Sequence, residues 1–493
     1  MTRRWVPFWI AIFSLLFAFL WNEWNLNQMR AEKQALRDNQ TVITLDDASY
    51  LNPPLYYYQH GKLYGSDYQK FTFSIRPPGY GLFYFACLKL GGSHALFVLK
   101  WIQLLLYSLS VYCLFQLVFS LTKQFYLALI SAILFGIFPI SLGFLYYTLS
   151  EGITPALLIC GIYMLVKFSK TDKRKWLWLA GLTFSFLCIV RPLLGILMPF
   201  ILLFFMFLMS QRKTWEKSIR ATFWLTVLSF TGVFTWQIVG KIETGKWLGL
   251  HPIYQNEIPG VFRVPHQAIW DCFKGWESSS EHFHETIVPF WEASLNGISF
   301  ENSYKQVEKE IPKEVITTLG SETVKHGFFL YRKAILVQKT AYENQHILPA
   351  YPLKEEEQCV RYFEQLAINY KQHHSFHYHV VTPVKVAKSM VFHSNLSLWI
   401  FQHTLRGSWW METMRAFAYM LHITLFLLLI PSLFLLRREP IIWLVLGVFV
   451  YLFYLAYVQR GIEERYTLPI LSLLFVFSTL SFAKMKKHFF TRK

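Results

Sequence analysis

Acid falls well short of base in this sequence. Asp and Glu number 30 against 48 Lys and Arg, a formal net charge of +18. Pooled on one face, that surplus would suit nucleic acid. Instead it is dispersed through short links between apolar runs, where it acts as a topology determinant, so no nucleic-acid partner is expected. Cysteine is scarce as well: six in 493 residues, none at metal-ligand spacing, which excludes a zinc-stapled scaffold. Cys87, Cys113, Cys160 and Cys188 lie in or beside apolar runs, whereas Cys272 and Cys359 share a hydrophilic segment and could pair in an oxidising compartment. Internal repeats and low-complexity tracts are missing too. The first apolar run, 5–21, follows "MTRR" but is followed by "WNEWNLNQMR" rather than by a small-residue cleavage site, and reads as a retained anchor.

What the chain has in quantity is hydrophobic length. Hydrophobic residues make up 54% and aromatics 18%, in runs of roughly 17–25 residues that match the hydrocarbon core of a bilayer. Spans are expected near 5–24, 95–119, 125–145, 152–168, 176–190, 192–209, 219–240, 413–436, 440–458 and 466–484. The stretch 176–209 must be two crossings. "KFSKTDKRKW" before it and "QRKTWEKSIR" after it are both basic and so both cytoplasmic, with Arg191-Pro192 at the outer turn. The same parity places both termini in the cytoplasm and the chain in a cell membrane, of a bacterial plasma-membrane type.

The outer face then collects the unusual polar residues. They are Asp46 and Asp47 in the first long loop, Arg76, Glu151, Arg191, and Arg460, Glu463, Glu464 and Arg465. Charges beside membrane helices are functional candidates because burying them is expensive. Two consecutive carboxylates can hold a divalent cation such as Mg2+ or Mn2+, or one can serve as base while the other tunes it. Arginine forks match phosphate oxygens. Acids and arginines together at a bilayer surface suit chemistry on a lipid phosphate. Taken singly, each is as readily an interfacial charge.

Four motifs in order carry a family resemblance. "DDASY" (46–50) followed by "RPPGYGLF" (76–83) resembles the first outer loop of GT-C fold glycosyltransferases, in which the proline-glycine segment starts a helix near the membrane surface. "TLSEGI" (148–153) resembles their outer Ser-Glu motif, "RPLL" (191–194) the basic-Pro helix break, and "EERYTLPILSLL" (463–474) the segment opening a late span. Within that fold they resemble the relatives of protein O-mannosyltransferases and of the aminoarabinose transferase of lipid A. Asp47 stands where many relatives carry glutamate.

The resemblance implies an integral membrane glycosyltransferase that moves a sugar, with inversion, from a polyprenyl-phosphate donor to an acceptor (lipid, glycan or protein) on the outer face. Asp46 and Asp47 would be catalytic, and would be the ligands of any metal. Arg465, Arg460, Arg191 and Arg76 would bind the donor phosphate. Glu151, Tyr50, Glu464 and Tyr466 would position substrate. Membrane lipids complete the expected partners. A transporter, flippase or polymerase of lipid-linked saccharides is the competing reading. Transporters usually show midplane polar helices and repeats, whereas here the charges gather at one face.

The expected fold is an all-α polytopic membrane protein, GT-C-like, with about ten or more transmembrane helices and a mainly helical extracytoplasmic insertion. The parts are an N-terminal membrane module over 1–240 with the catalytic loop 25–94, the insertion over 241–410, and a C-terminal membrane module over 411–493. Within the insertion, 298–327 and 355–374 read as helix. Trp-rich patches such as "AIWDCFKGW" read more as core than as sugar platform. "HHSFHYH" (373–379), with His373, His377 and His379, reads as a partly exposed cluster more than as a zinc site, and "VVTPV" after it as extended chain. "HPIYQNEIPGVFRVPHQ" (251–267) reads as a loop that could cover the site.

Overall fold

The computed structural model describes residues 5–44, 46–61, 77–244, 247, 249–250, 264–276, 280–344, 353–392, 407–460 and 464–490. Arg76 and most of the 251–267 loop lie outside them. Helix dominates, as the sequence leads one to expect. A two-stranded hairpin, β1 (Leu36–Arg37) and β2 (Thr41–Val42), sits between α1 (Val6–Ala31) and α2 (Asp47–His60). Then come α3 (Pro78–Gly91), α4 (Ala95–Thr122), α5 (Phe125–Gly136), the short α6 (Pro139–Gly143), α7 (Thr154–Thr171), α8 (Arg174–Val190), α9 (Met198–Ser210) and α10 (Trp215–Thr244).

The polar segment folds as α11 (Val264–Gly275), α12 (Ser280–Leu295), α13 (Phe300–Glu310), α14 (Lys313–Leu319), α15 (Ser321–Glu343), α16 (Lys354–His373) and α17 (Thr382–Phe392). The chain closes with α18 (Trp409–Leu427), α19 (Leu429–Leu435), α20 (Ile442–Phe453) and α21 (Leu468–Phe490).

Proline and left-handed residues punctuate these helices. Pro stands in the first two positions of α3, α6, α7 and α9, where its missing N–H costs nothing. Lys123 and Asp172 take φ of 60° and 56° to close α4 and α7. Nine helical stretches among the described residues are long and apolar enough to cross a bilayer. The 17 residues of α8, about 25 Å of helix, make a shorter tenth. The chain is therefore a multi-pass membrane protein. The helix expected to start at the proline-glycine segment is α3; it leads through a 3-10 turn into α4, so the first long membrane stretch after α1 begins at Pro78 rather than near 95.

Two apolar clusters organise the described residues. One joins α1 to α10 with α17 to α21. The windows of α7 and α21 are 78% buried against 22% for that of α10, so α7 and α21 are central and α10 is peripheral. The second cluster lies wholly within 268–370, around Trp276, Phe290, Phe328, Tyr331 and Phe363, and holds Cys272 and Cys359 as free buried thiols. The expectation of extended chain after the histidines is corrected: 377–381 form a π-helical turn continuous with α17, since Pro383 falls in the first turn of α17, where proline is tolerated.

Candidate active site

The candidate residues come to one place because they occupy helix ends. Asp46 is the N-cap residue of α2. Glu151 lies in the 3-10 turn Ser150–Gly152 that precedes α7, and Arg191 ends α8, the helix that runs back against α7. Arg465 lies in the 3-10 turn Glu464–Thr467 that opens α21. A start of α7, an end of its antiparallel neighbour and a start of α21 share one end of the bundle. Gly79 brings the first loop there as well. A β-carbon on it would lie 2.4 Å from the Val190 backbone nitrogen, so only glycine lets α3 touch the end of α8 beside Arg191.

At this end four charges interlock. Arg191 Nη1 meets Glu151 Oε1 at 2.6 Å, and Arg465 Nε lies 3.6 Å from the same oxygen. Arg465 Nη2 also donates to Asp46 Oδ2. Arg191 Nη1 donates to Ser150 Oγ at 3.2 Å, and that hydroxyl donates to Glu151 Oε2 at 3.0 Å. Two acids and two arginines balance, which is how buried charges persist in an apolar setting. The Arg191 guanidinium lies 5.2 Å from the Tyr466 ring, and the Tyr466 carbonyl accepts from the Tyr451 hydroxyl at 2.8 Å. Tyr147 stands close enough for Arg465 to act on it: burial pushes its phenol up to about 12 while the Arg465 charge pulls it back.

Other expected residues are placed differently. Asp47 is buried, and both its oxygens accept from Arg37, at 3.0 Å from Nε and 3.2 Å from Nη2. Asp46 and Asp47 thus face separate arginines rather than sharing one ligand. As arranged they do not fit a divalent cation, because Asp47 would first have to leave Arg37. Among the described residues no group of three or more His, Cys, Asp or Glu converges on a metal position.

Tyr50 is buried edge-on against Tyr80, with centroids 5.1 Å apart. Arg460 is 4% exposed and stands at a φ of 58°. Its Nε donates to the Tyr457 carbonyl at 2.7 Å, its guanidinium lies 3.8 Å from the Tyr378 ring, and Nη1 and Nη2 find no acceptor among the described residues. Burial pulls this guanidinium below its ordinary value. Arg76, Glu463 and the Glu464 side chain lie outside what is described.

The histidines are spent individually. His373 contacts the Asn369 carbonyl, His374 contacts Thr318, and His379 Nδ1 lies 2.6 Å from the Tyr457 hydroxyl.

Sequence reasoning missed Arg37 and Gln103, and named Ser150 only as part of the Ser-Glu motif, without a role of its own. Attention to charge alone hid Gln103, yet an uncharged polar residue inside the apolar run 95–119 was itself a signal.

No protein-family model and no curated protein matches the chain. Among solved structures it resembles the archaeal oligosaccharyltransferase AglB from Archaeoglobus fulgidus, in complex with an inhibitory peptide and a dolichol-phosphate. Identity is 12% and the TM-score 0.44, over 98% of this chain and 51% of that one. It also resembles ArnT from Cupriavidus metallidurans bound to undecaprenyl phosphate, at 11% identity and a TM-score of 0.35, over 98% of this chain and 78% of that one. The chain spans about half the length of the archaeal protein. At this level of superposition the likeness carries no activity over to this chain.

Proposed function

We propose that the protein is a membrane glycosyltransferase that takes a sugar from a polyprenyl-phosphate donor and passes it, with inversion, to an acceptor hydroxyl or amine on the extracytoplasmic face. One observation carries the reading. Acids and arginines from four distant chain segments, Asp46, Glu151, Arg191 and Arg465, meet in a single ion-paired cluster at one end of the bundle.

In this reading the acceptor heteroatom attacks the anomeric carbon. A new bond forms there, the carbon–oxygen bond to phosphate breaks, and the phosphate keeps the electron pair. The acceptor's proton passes to Asp46. An anionic donor competes with Asp46 for Arg465, so donor binding is what frees the carboxylate as a base. Charge on the departing phosphate is met by Arg465 and Arg191, whose donors are preorganised in a desolvated site, and by Arg460 Nη1 and Nη2, which find no acceptor among the described residues. Arg76 and Glu464 keep their proposed roles in phosphate binding and positioning. Tyr50 and Tyr466 serve the site by packing on Tyr80 and Arg191. Asp47 supports rather than reacts, since it anchors the start of α2 through Arg37. With both aspartates engaged by arginine, the reaction is proposed to run on protein groups alone.

The test is turnover of radiolabelled polyprenyl-phosphate sugars by the full chain in nanodiscs supplied with a membrane extract. Label should reach the extract with native protein, fail to do so with Asp46→Asn, and be indifferent to chelation of divalent cations. Intact donor that instead crosses a proteoliposome bilayer would replace the transferase by a transporter.

A further inference from the structure

Two long polar side chains are buried in the outer half of α4: Lys100, 3% exposed, and Gln103, fully buried. Lys100 is accounted for by Glu23 of α1, at 2.7 Å. Gln103 is bonded on three sides, and none of its partners is in its own helix. Its Oε1 accepts from the Tyr80 hydroxyl at 2.8 Å. Its Nε2 donates to the carbonyls of Leu145, at 2.8 Å, and Tyr147, at 3.3 Å.

Each partner leads to one arm of the site. Leu145 lies in the 3-10 turn Phe144–Tyr146, and Tyr147 opens the short stretch after it that delivers Ser150 and Glu151. Tyr80 packs on Tyr50, one turn into the helix whose N-cap is Asp46. The arms also touch through the backbone bridge between Val42 and Tyr147, and Arg465 reaches both acids at the surface of the site, while Gln103 ties the segments that carry those acids from within the bundle. Gly152 closes the space around it: a β-carbon there would sit 2.8 Å from Gln103 Oε1 and 3.1 Å from the Phe144 carbonyl. The carboxamide, pinned by three hydrogen bonds, has little freedom to retreat.

We propose that Gln103 is a positioning residue that fixes the spacing between the Asp46 arm and the Glu151 arm. The proposal rests on the transferase reading. Buried carbonyls outside regular helix need partners, and a glutamine that supplies them also sets where they lie. Its effect on the reaction passes through placement, so it belongs to turnover more than to donor affinity.

The experiment compares native protein, Gln103→Leu, Tyr80→Phe and Gly152→Ala as full chains in nanodiscs. It measures kcat and KM for the polyprenyl-phosphate sugar, and amide hydrogen exchange over 46–52 and 145–152. Gln103→Leu should lower kcat about 100-fold, the cost of a misplaced reacting group, and speed exchange in both segments. Tyr80→Phe, which removes one hydroxyl, should lower kcat about tenfold with KM held within about threefold, and speed exchange in 46–52 alone. Gly152→Ala should reproduce Gln103→Leu.

Unchanged kcat in Tyr80→Phe, or exchange that rises uniformly along the chain, overturns the proposal. If Gln103→Leu fails to fold, Tyr80→Phe decides. If the native chain turns over no donor, the transferase reading fails by itself, and the exchange pattern still decides whether Gln103 couples the two segments.

Discussion

Arg37 and Asp47 form a pair whose two members have unequal surroundings: the Arg37 side chain is 33% exposed and that of Asp47 only 2%. Removing the exposed partner leaves a buried carboxylate without its two donors. Arg37→Gln should therefore cost about 1–3 kcal/mol of thermal stability in detergent, and adding Asp47→Asn should return part of it. Arg460 is the converse, a buried cation whose Nη1 and Nη2 find no acceptor among the described residues. Arg460→Gln should lower kcat/KM for the donor about tenfold, with part of the loss in kcat, since the leaving phosphate gains charge in the transition state. The lost cation–π contact with Tyr378 should cost a further 0.5–2 kcal/mol or so of stability.

At this scale the sequence was informative wherever charge carried the message. Asp46, Glu151, Arg191 and Arg465 could be picked out because ionised groups beside apolar runs are costly. Their pairing could not be read, because it depends on which helix ends meet. Asp47 looked like the twin of Asp46, yet one residue of helix sends it to a different arginine.

The elements were legible where their signals are local. Runs of apolar residues, proline starts and basic links mark every membrane helix that the sequence leads one to expect. The helical reading after "RPPG" holds too, with α3 starting at Pro78. The hairpin at 36–42 was not legible, since strands of two residues show no periodicity. Nor was the contact of α3 with the end of α8, because a glycine reveals a close approach only once its neighbour is known. Gly79→Ala should wedge these helices apart, with a loss of about 1–3 kcal/mol by melting and a larger loss of turnover, since Arg191 adjoins the contact.

In the polar segment, burial holds the Cys272 and Cys359 thiols well above their ordinary values. Both should resist maleimide at pH 8 until denaturant is added. Because the folded thiols keep their protons while unfolded ones ionise near 8.5, the segment should lose stability as pH rises above that value and onward toward the folded pKa. Denaturant melts at pH 7.5 and 9.5 measure the difference.

On the scale of the whole molecule, parity of basic links predicts that reporters fused after Arg438 or at the C-terminus report cytoplasm, and a reporter inserted near Gly320 reports the outside. The opposite pattern would put the charge cluster on the wrong face for the proposed chemistry. The bond between Asp46 and Arg465 joins residues 419 positions apart, so the first loop and the last span are both required before any site exists. A ribosome threading this chain into a membrane therefore closes the ion-paired cluster only when the helix that carries Arg465 arrives. A chain cut short before Arg465 would still insert most of its apolar spans, yet should show none of the transfer proposed here.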